Sequence, residues 1–212
     1  MLSVTNIQYW LDSATAIVGT IGGVILGALY FAKKYKEFKE KKEQKELDVT
    51  CNKEHYTNTT IQELLSSLRY QVNADRVQIA QFHNGGKFLE GSPMKRFSIT
   101  HESCRPGVSA ESVNLHNILV TLFWCVVVFL KENNPKIRLT RSLKENSPLK
   151  TYNESKNIEA FSILPIKKEE LTIGFIRVEW NNIHHIPDDY EDCERFMDKY
   201  RSFVQLEIVR GS

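Results

Sequence analysis

From Ser13 to Ala32 the chain reads SATAIVGTIGGVILGALYFA, 20 residues without a charge. As a helix rising about 1.5 Å per residue, such a run crosses about 30 Å of hydrocarbon, where a single segment satisfies its backbone only as a helix. The run predicts one membrane-spanning helix over residues 13–32. Its flanks argue against a cleaved leader, because MLSVTNIQYWLD holds no Lys or Arg while Lys33 and Lys34 follow the apolar run directly. Positive charge on the C-terminal flank alone orients a single-pass protein with residues 1–12 outside and the rest cytoplasmic. Tyr9, Trp10, Tyr30 and Phe31 lie where interfacial belts form. On this topology the sequons Asn58-Thr59-Thr60 and Asn153-Glu154-Ser155 never meet a glycosylation enzyme. Gly19, Gly23 and Gly27 recur one turn apart, a bare stripe on which a second copy could pack. The other reading is that membrane helices simply tolerate glycine.

Beyond the run, KKYKEFKEKKEQKEL continues as a charged helix supported by pairs such as Glu37 with Lys41 and the reversed Lys36 with Glu40. Residues 33–57 form a stalk or linker whose lysines lie near anionic headgroups, and the pattern dissolves over residues 48–57. Residues 1–47 hold seven Lys against five acids, leaving 28 − 7 = 21 basic and 26 − 5 = 21 acidic residues in the remainder. A neutral body lacks the clustered cations that displace counterions, which argues against a nucleic-acid partner. Cys51, Cys104, Cys125 and Cys193 lack zinc-ribbon or thioredoxin spacing and read as reduced thiols, in keeping with a cytoplasmic body.

In the body, Thr60 and Glu63 form a capping box ahead of Ile61, Leu64, Leu65, Leu68 and Val72, predicting an amphipathic helix over 59–73. Strands are expected over 77–82 and 96–102, with HNGGKFLEGSPMK between them as a long excursion. ILVTLFWCVVVFL is too short to span a bilayer and predicts a buried helix, its β-branched content leaving a strand open. IEAFSILPI and LTIGFIRVEW, joined by KKEE, predict an antiparallel hairpin. PDDYEDCERFMDKYRSFVQLEIV opens on Pro and acids suited to a helix start, with Tyr190, Phe196, Tyr200, Phe203, Val204 and Leu206 as its apolar side. Gly211-Ser212 is given no structural meaning. The order predicts an α+β fold, an antiparallel sheet flanked by helices and preceded by one membrane helix.

NIEAFSILPIKKEELTIGFIRVEW, with its Pro-Ile strand end, short polar turn and apolar-Gly-apolar strand, resembles the signature of GAF domains. The helix at 59–73, the strand ending in QFHNG and the closing helix fall in that family's order, so the resemblance covers roughly residues 58–210. QFHNGG followed by RFSITHES also resembles small membrane-anchored GAF-like proteins of bacteria and their phages. The resemblance implies a GAF/PAS-like regulatory domain that binds a small molecule on one side of its sheet, or a protein, and dimerises through flanking helices. It implies no enzyme. The Asn-Lys-Phe-Asp-Glu constellation of cyclic-nucleotide-binding members is absent, as is a matching context for a bilin-attaching cysteine, so no cofactor is carried over.

Candidate ligand contacts are Gln81, His83 and Asn84 at the end of the first strand and Arg96, Thr100, Glu102 and Arg105 around the second. Val77 and Ile79 share a face with Gln81 and His83, so an apolar face turns polar, as a pocket wall does. Asn-Gly equally ends a strand, and the polar residues of 96–105 equally suit an exposed edge. Arg177 and Glu179 fit a solvent face or a pocket. The six His residues show no metal spacing, and no nucleophile elbow or phosphate loop occurs. Two function classes remain: a membrane-tethered sensor binding a small ligand, and a membrane adaptor whose pocket is filled by its own side chains.

Overall fold

A computed structural model describes residues 4–87 and 93–211, with side chains over 29–85 and 95–210. The chain divides into two compact units, Met1–Lys53 and Glu54–Ser212. Helix α1, Val4–Gln71, supplies the first and opens the second. In the first unit its described side chains, from Leu29 onward, are exposed. Among the described residues no helix is long and apolar enough to cross a membrane. Most of the span read over 13–32, including Gly19, Gly23 and Gly27, lies outside the described side chains.

In the second unit six antiparallel strands, β1 (Arg76–Lys87), β2 (Pro93–Cys104), β3 (Ile118–Leu119), β4 (Arg138–Leu139), β5 (Ala160–Lys168) and β6 (Leu171–Trp180), stand in the order β3-β2-β1-β6-β5-β4. Three further helices complete it: α2 (Trp124–Glu132), α3 (Pro148–Ser155) and α4 (Tyr190–Gly211). Ile61, Leu65 and Leu68 of α1, with Val72 just past its end, make one stripe and pack on Val77, Ile79, Ala160, Leu164, Ile176, Val178 and Trp180, with Cys193, Met197, Val204 and Ile208 of α4 beside them. Trp180 Nε1 donates to the Val72 carbonyl at 3.1 Å, fixing the helix end to the sheet. The opposite face carries Ala80, Phe97, Ile99, Phe161, Ile163 and Phe175 under Cys125, Val126 and Leu130 of α2 and Leu149 of α3. Gly174 is required where β1 and β6 close, since a Cβ there would lie 2.3 Å from the Ala80 carbonyl oxygen.

Helix ends follow asparagine chemistry. Asn73 after α1, Asn133 at the cap of α2 and Asn157 after α3 all have φ between 51° and 54°, the left-handed region that Asn tolerates. The β5–β6 hairpin is the expected one, turning at Glu169 with φ 55°.

Four expectations are corrected. α1 has no break over 48–57 and no start at Thr60. The Thr59 hydroxyl donates back to the His55 carbonyl at 2.8 Å, inside one continuous helix. Within the excursion after Phe82, residues 83–87 and 93–95 are strand instead, because β1 runs on to Lys87, which pairs with Pro93; residues 88–92 lie outside the described residues. The apolar run near 118–130 divides into β3, a 3-10 turn (Val120–Phe123) and α2, and Leu122, Trp124 and Val128 are exposed. On α4 the buried stripe is Cys193, Met197, Val204 and Ile208, with Tyr190, Phe203 and Leu206 exposed.

Candidate functional site

Opposite the helix layer, strand register sets charged residues side by side. Arg76 stands across from Glu179, and Gln78 lies between Arg177 and Glu102. Arg76 Nη1 donates to Glu179 Oε2 at 2.5 Å, and its Nε lies 3.3 Å from Glu102 Oε1. Arg177 Nε lies 2.7 Å from Glu179 Oε1, and its Nη2 donates to Asn153 Oδ1 at 2.6 Å. Asn153 in turn donates to the Thr140 hydroxyl. The guanidinium of Arg177 also lies 5.1 Å from the Tyr152 ring centre.

The segment after β2 closes this cluster. Its backbone N–H groups at Glu111 and Ser112 donate to the Glu102 carboxylate at 2.9–3.0 Å, Arg76 Nη2 donates to the Ser109 carbonyl, and Glu111 pairs with Lys156 at 2.8 Å. Three cations, Arg76, Arg177 and Lys156, thus meet three anions, Glu102, Glu179 and Glu111. Arg76 is 2% exposed and Glu179 0%, so pairing is obligatory: a lone charge at that depth costs several kcal/mol. Burial alone would lower the Arg76 pKa, but the charge and hydrogen bond of Glu179 raise it further. Burial drives the Tyr152 phenol well above its ordinary value. Gln78 Oε1 and the Tyr152 hydroxyl are buried without a hydrogen-bond partner among the described residues. Chemically the cluster is neutral and closed, suited to holding segments together.

At the far end of the same face lies a cavity of about 390 Å³. Phe82, Val120, Val127 and Leu130 give it an apolar lining, and Lys95 from β2, Lys131 from α2 and Lys167 from β5 surround it with Glu170 and Thr172. No ion pair among the described residues engages these three lysines, and no group of His, Cys, Asp and Glu among them could hold a metal ion.

The sequence candidates do not converge on one site. Glu102 joins the buried cluster. His83 is exposed and hydrogen-bonds the Ser98 hydroxyl at 2.9 Å, Asn84 is exposed, and Gln81 is half-buried on the helix-side face. Arg96 donates to the Asn117 carbonyl at 2.6 Å and lies along Gly85, whose bareness makes room for it. Thr100 is the bulged residue of β2, without a register partner between Ile79 and Ala80, and lines a polar cleft of about 460 Å³ with His55, Asn58, Gln62, Glu63 and His101. Arg105 belongs to a clasp: its Nε lies 2.9 Å from Asp75, which also accepts from the Asn181 N–H and pairs with His185. Arg177 and Glu179 prove to be interior. Arg76, Gln78, Glu111, Tyr152, Asn153, Lys156 and the three cavity lysines were missed. Arg76-x-Gln78 and Arg177-x-Glu179 did carry a signal, like-spaced polar residues alternating with apolar ones on strands that pair.

No protein-family model matches the sequence, and no curated protein does. Solved structures do match its fold. The phycocyanobilin-bound GAF domain of a cyanobacterial phytochrome aligns over 73% of this chain and 85% of its own, at 13% identity and a TM-score of 0.56. The GAF domain region of a predicted membrane protein from Geobacter sulfurreducens PCA aligns over 74% of this chain and 96% of its own, at 14% identity and 0.54. A far-red cyanobacteriochrome photoreceptor aligns over 83% and 98%, at 13% identity and 0.53. At such identities the likeness concerns architecture, and the architecture of this chain is that of a GAF domain.

Proposed function

We propose that this chain is a membrane-tethered regulatory protein. Its GAF-like body binds a small molecule on the sheet face away from α1 and α4 and signals through assembly or a partner. The lysine-rimmed cavity on that face is the observation that carries the reading. Residues 1–12 lie outside the cell, 13–32 span the membrane, 33–57 form the stalk and 58–210 form the cytoplasmic domain; no catalytic step is assigned. The uncharged run and its one-sided lysines support the topology. Self-association is read from Gly19, Gly23 and Gly27, and two-dimensional confinement would strengthen even a weak contact. Native mass spectrometry of the protein from its source cells tests both ligand and subunit number. A co-purifying small molecule supports the sensor, and a chain carrying none overturns it.

A second reading, a membrane adaptor that binds only protein, draws on a specific observation. The middle of that sheet face is filled by the chain's own Arg76, Arg177, Glu102 and Glu179. Under it, ligand-free chain would still recruit a partner.

A further inference from the structure

We infer that the cavity between α2 and the β5–β6 turn takes an amphiphilic anion, a carboxylate or phosphate head on a short hydrocarbon body. The inference rests on the reading of that face as a ligand face and names the ligand class. The lining divides chemically. Among the described residues, Phe82, Val120, Val127 and Leu130 offer no side-chain hydrogen bond, while Lys95, Lys131 and Lys167 line the cavity from three separate elements, against the one carboxylate of Glu170. Clustered like charges repel one another, and one anion relieves three of them at once. Lys95 and Lys131 are exposed and Lys167 is half-buried, and all three line one cavity of about 390 Å³, within the usual range of small-molecule sites.

The same lining excludes other occupants. Inorganic phosphate would satisfy the lysines and leave the apolar wall in water. A nucleobase needs its polar edge hydrogen-bonded, and among the described residues only Thr172 and Glu170, beyond the lysines, line the cavity with side chains able to do so. A hydrocarbon body asks nothing of the wall except burial. Such an anion could come from a free acyl metabolite or from an anionic lipid.

The test uses the full chain in nanodiscs of zwitterionic lipid and equilibrium binding of radiolabelled decanoate, with empty nanodiscs subtracted. Saturable binding is expected, displaced by decyl phosphate but not by decyltrimethylammonium or inorganic phosphate. Replacing Lys95, Lys131 and Lys167 together by Gln weakens it about tenfold, and Lys131→Gln alone about threefold. An unshifted unfolding midpoint shows that the variants remain folded. Phosphatidylglycerol in the discs displaces decanoate if a lipid head is the source and leaves it bound if a free metabolite is. Absence of saturable binding, equal displacement by the cationic amphiphile, or unchanged affinity in the triple variant overturns the inference. A different small molecule on the protein from source cells would then leave the sensor reading standing without this ligand class.

Discussion

On β1 and β6, alternate residues face opposite ways, and the two sets obey different physics. Val77, Ile79, Ile176, Val178 and Trp180 meet the apolar stripes of α1 and α4, whereas on the other side Arg76 and Arg177 both pair with Glu179, and Gln78 donates to Glu102 at 2.8 Å. Apolar burial is non-directional and tolerates repacking. A buried charge cluster is satisfied only in one arrangement, so it fixes the segment after β2 and α3 in place rather than adding much net stability. The helix side is therefore the stabilising face, and the charged side is where geometry is specified.

The sharpest way to break this comparison is Glu179→Ala. It strips both Arg76 and Arg177 of a partner and should cost about 3–5 kcal/mol in urea unfolding of the body. Removing a whole pair, Arg177→Met with Glu179→Leu, should cost less than Glu179→Ala alone, because no buried charge is then left unpaired at 177, while Arg76 keeps Glu102 in both variants. A double variant at least as unstable as the single one would show that the cluster contributes ordinary stability.

Next in size is the apolar face. Leu65→Ala, at a side chain with 0% exposure, should lose about 3 kcal/mol in the same measurement. Its paired expectation is specificity of effect: decanoate binding to folded Leu65→Ala stays unchanged, since that residue packs on the face away from the lysine cavity.

Acid separates the faces by pH. Burial lowers the pKa of His101, which pairs across from Ile79 and touches Asn58 of α1. The unfolded chain then binds the proton more readily, so stability falls as pH drops below about 6.5 toward the folded value. On the charged face burial would raise the Glu111 pKa, but hydrogen bonds from Lys156 and Asn114 outweigh it and lower the value. That contribution is present above about 4.5 and lost as pH falls through the lower folded value. His101→Gln should flatten the upper part of the acid limb and Glu111→Gln the lower part. If either variant flattens both, the two faces are not independent.

What was legible in the sequence follows the same division. The β5–β6 hairpin and the stripe from Ile61 to Val72 could be read because apolar periodicity reports local geometry directly. The burial of Arg177 and Glu179 could not, since alternation places them on a face without telling whether that face is covered. Their partners Arg76 and Asn153 lie 103 and 24 residues away, and tertiary pairing decides the match. α1 was divided at Thr60 because a capping box is a local motif, and here the preceding turns continue the helix and leave no N–H groups to cap. The reading of Asn84-Gly85 as a strand end gave way for a related reason: β1 continues through these residues to Lys87.

The smallest expected effect lies in α1, whose two parts repeat the contrast in miniature. Past His55 the helix is held by packing, whereas over 33–53 it depends on its own surface. The ion pairs there, Lys36–Glu40, Lys39–Glu43 and Lys42–Glu46 at 3.6–3.9 Å, all place Lys before Glu, the weaker order against the helix dipole. Every partner is more than half exposed, so each pair contributes at most about 0.3 kcal/mol. Exchanging Lys and Glu within all three pairs should therefore raise the helicity of a 33–53 peptide slightly by circular dichroism. At 1 M salt, where the screening length falls to about 3 Å, the gain should vanish. A gain that survives salt would mean that intrinsic propensity, and not charge order, governs the stalk.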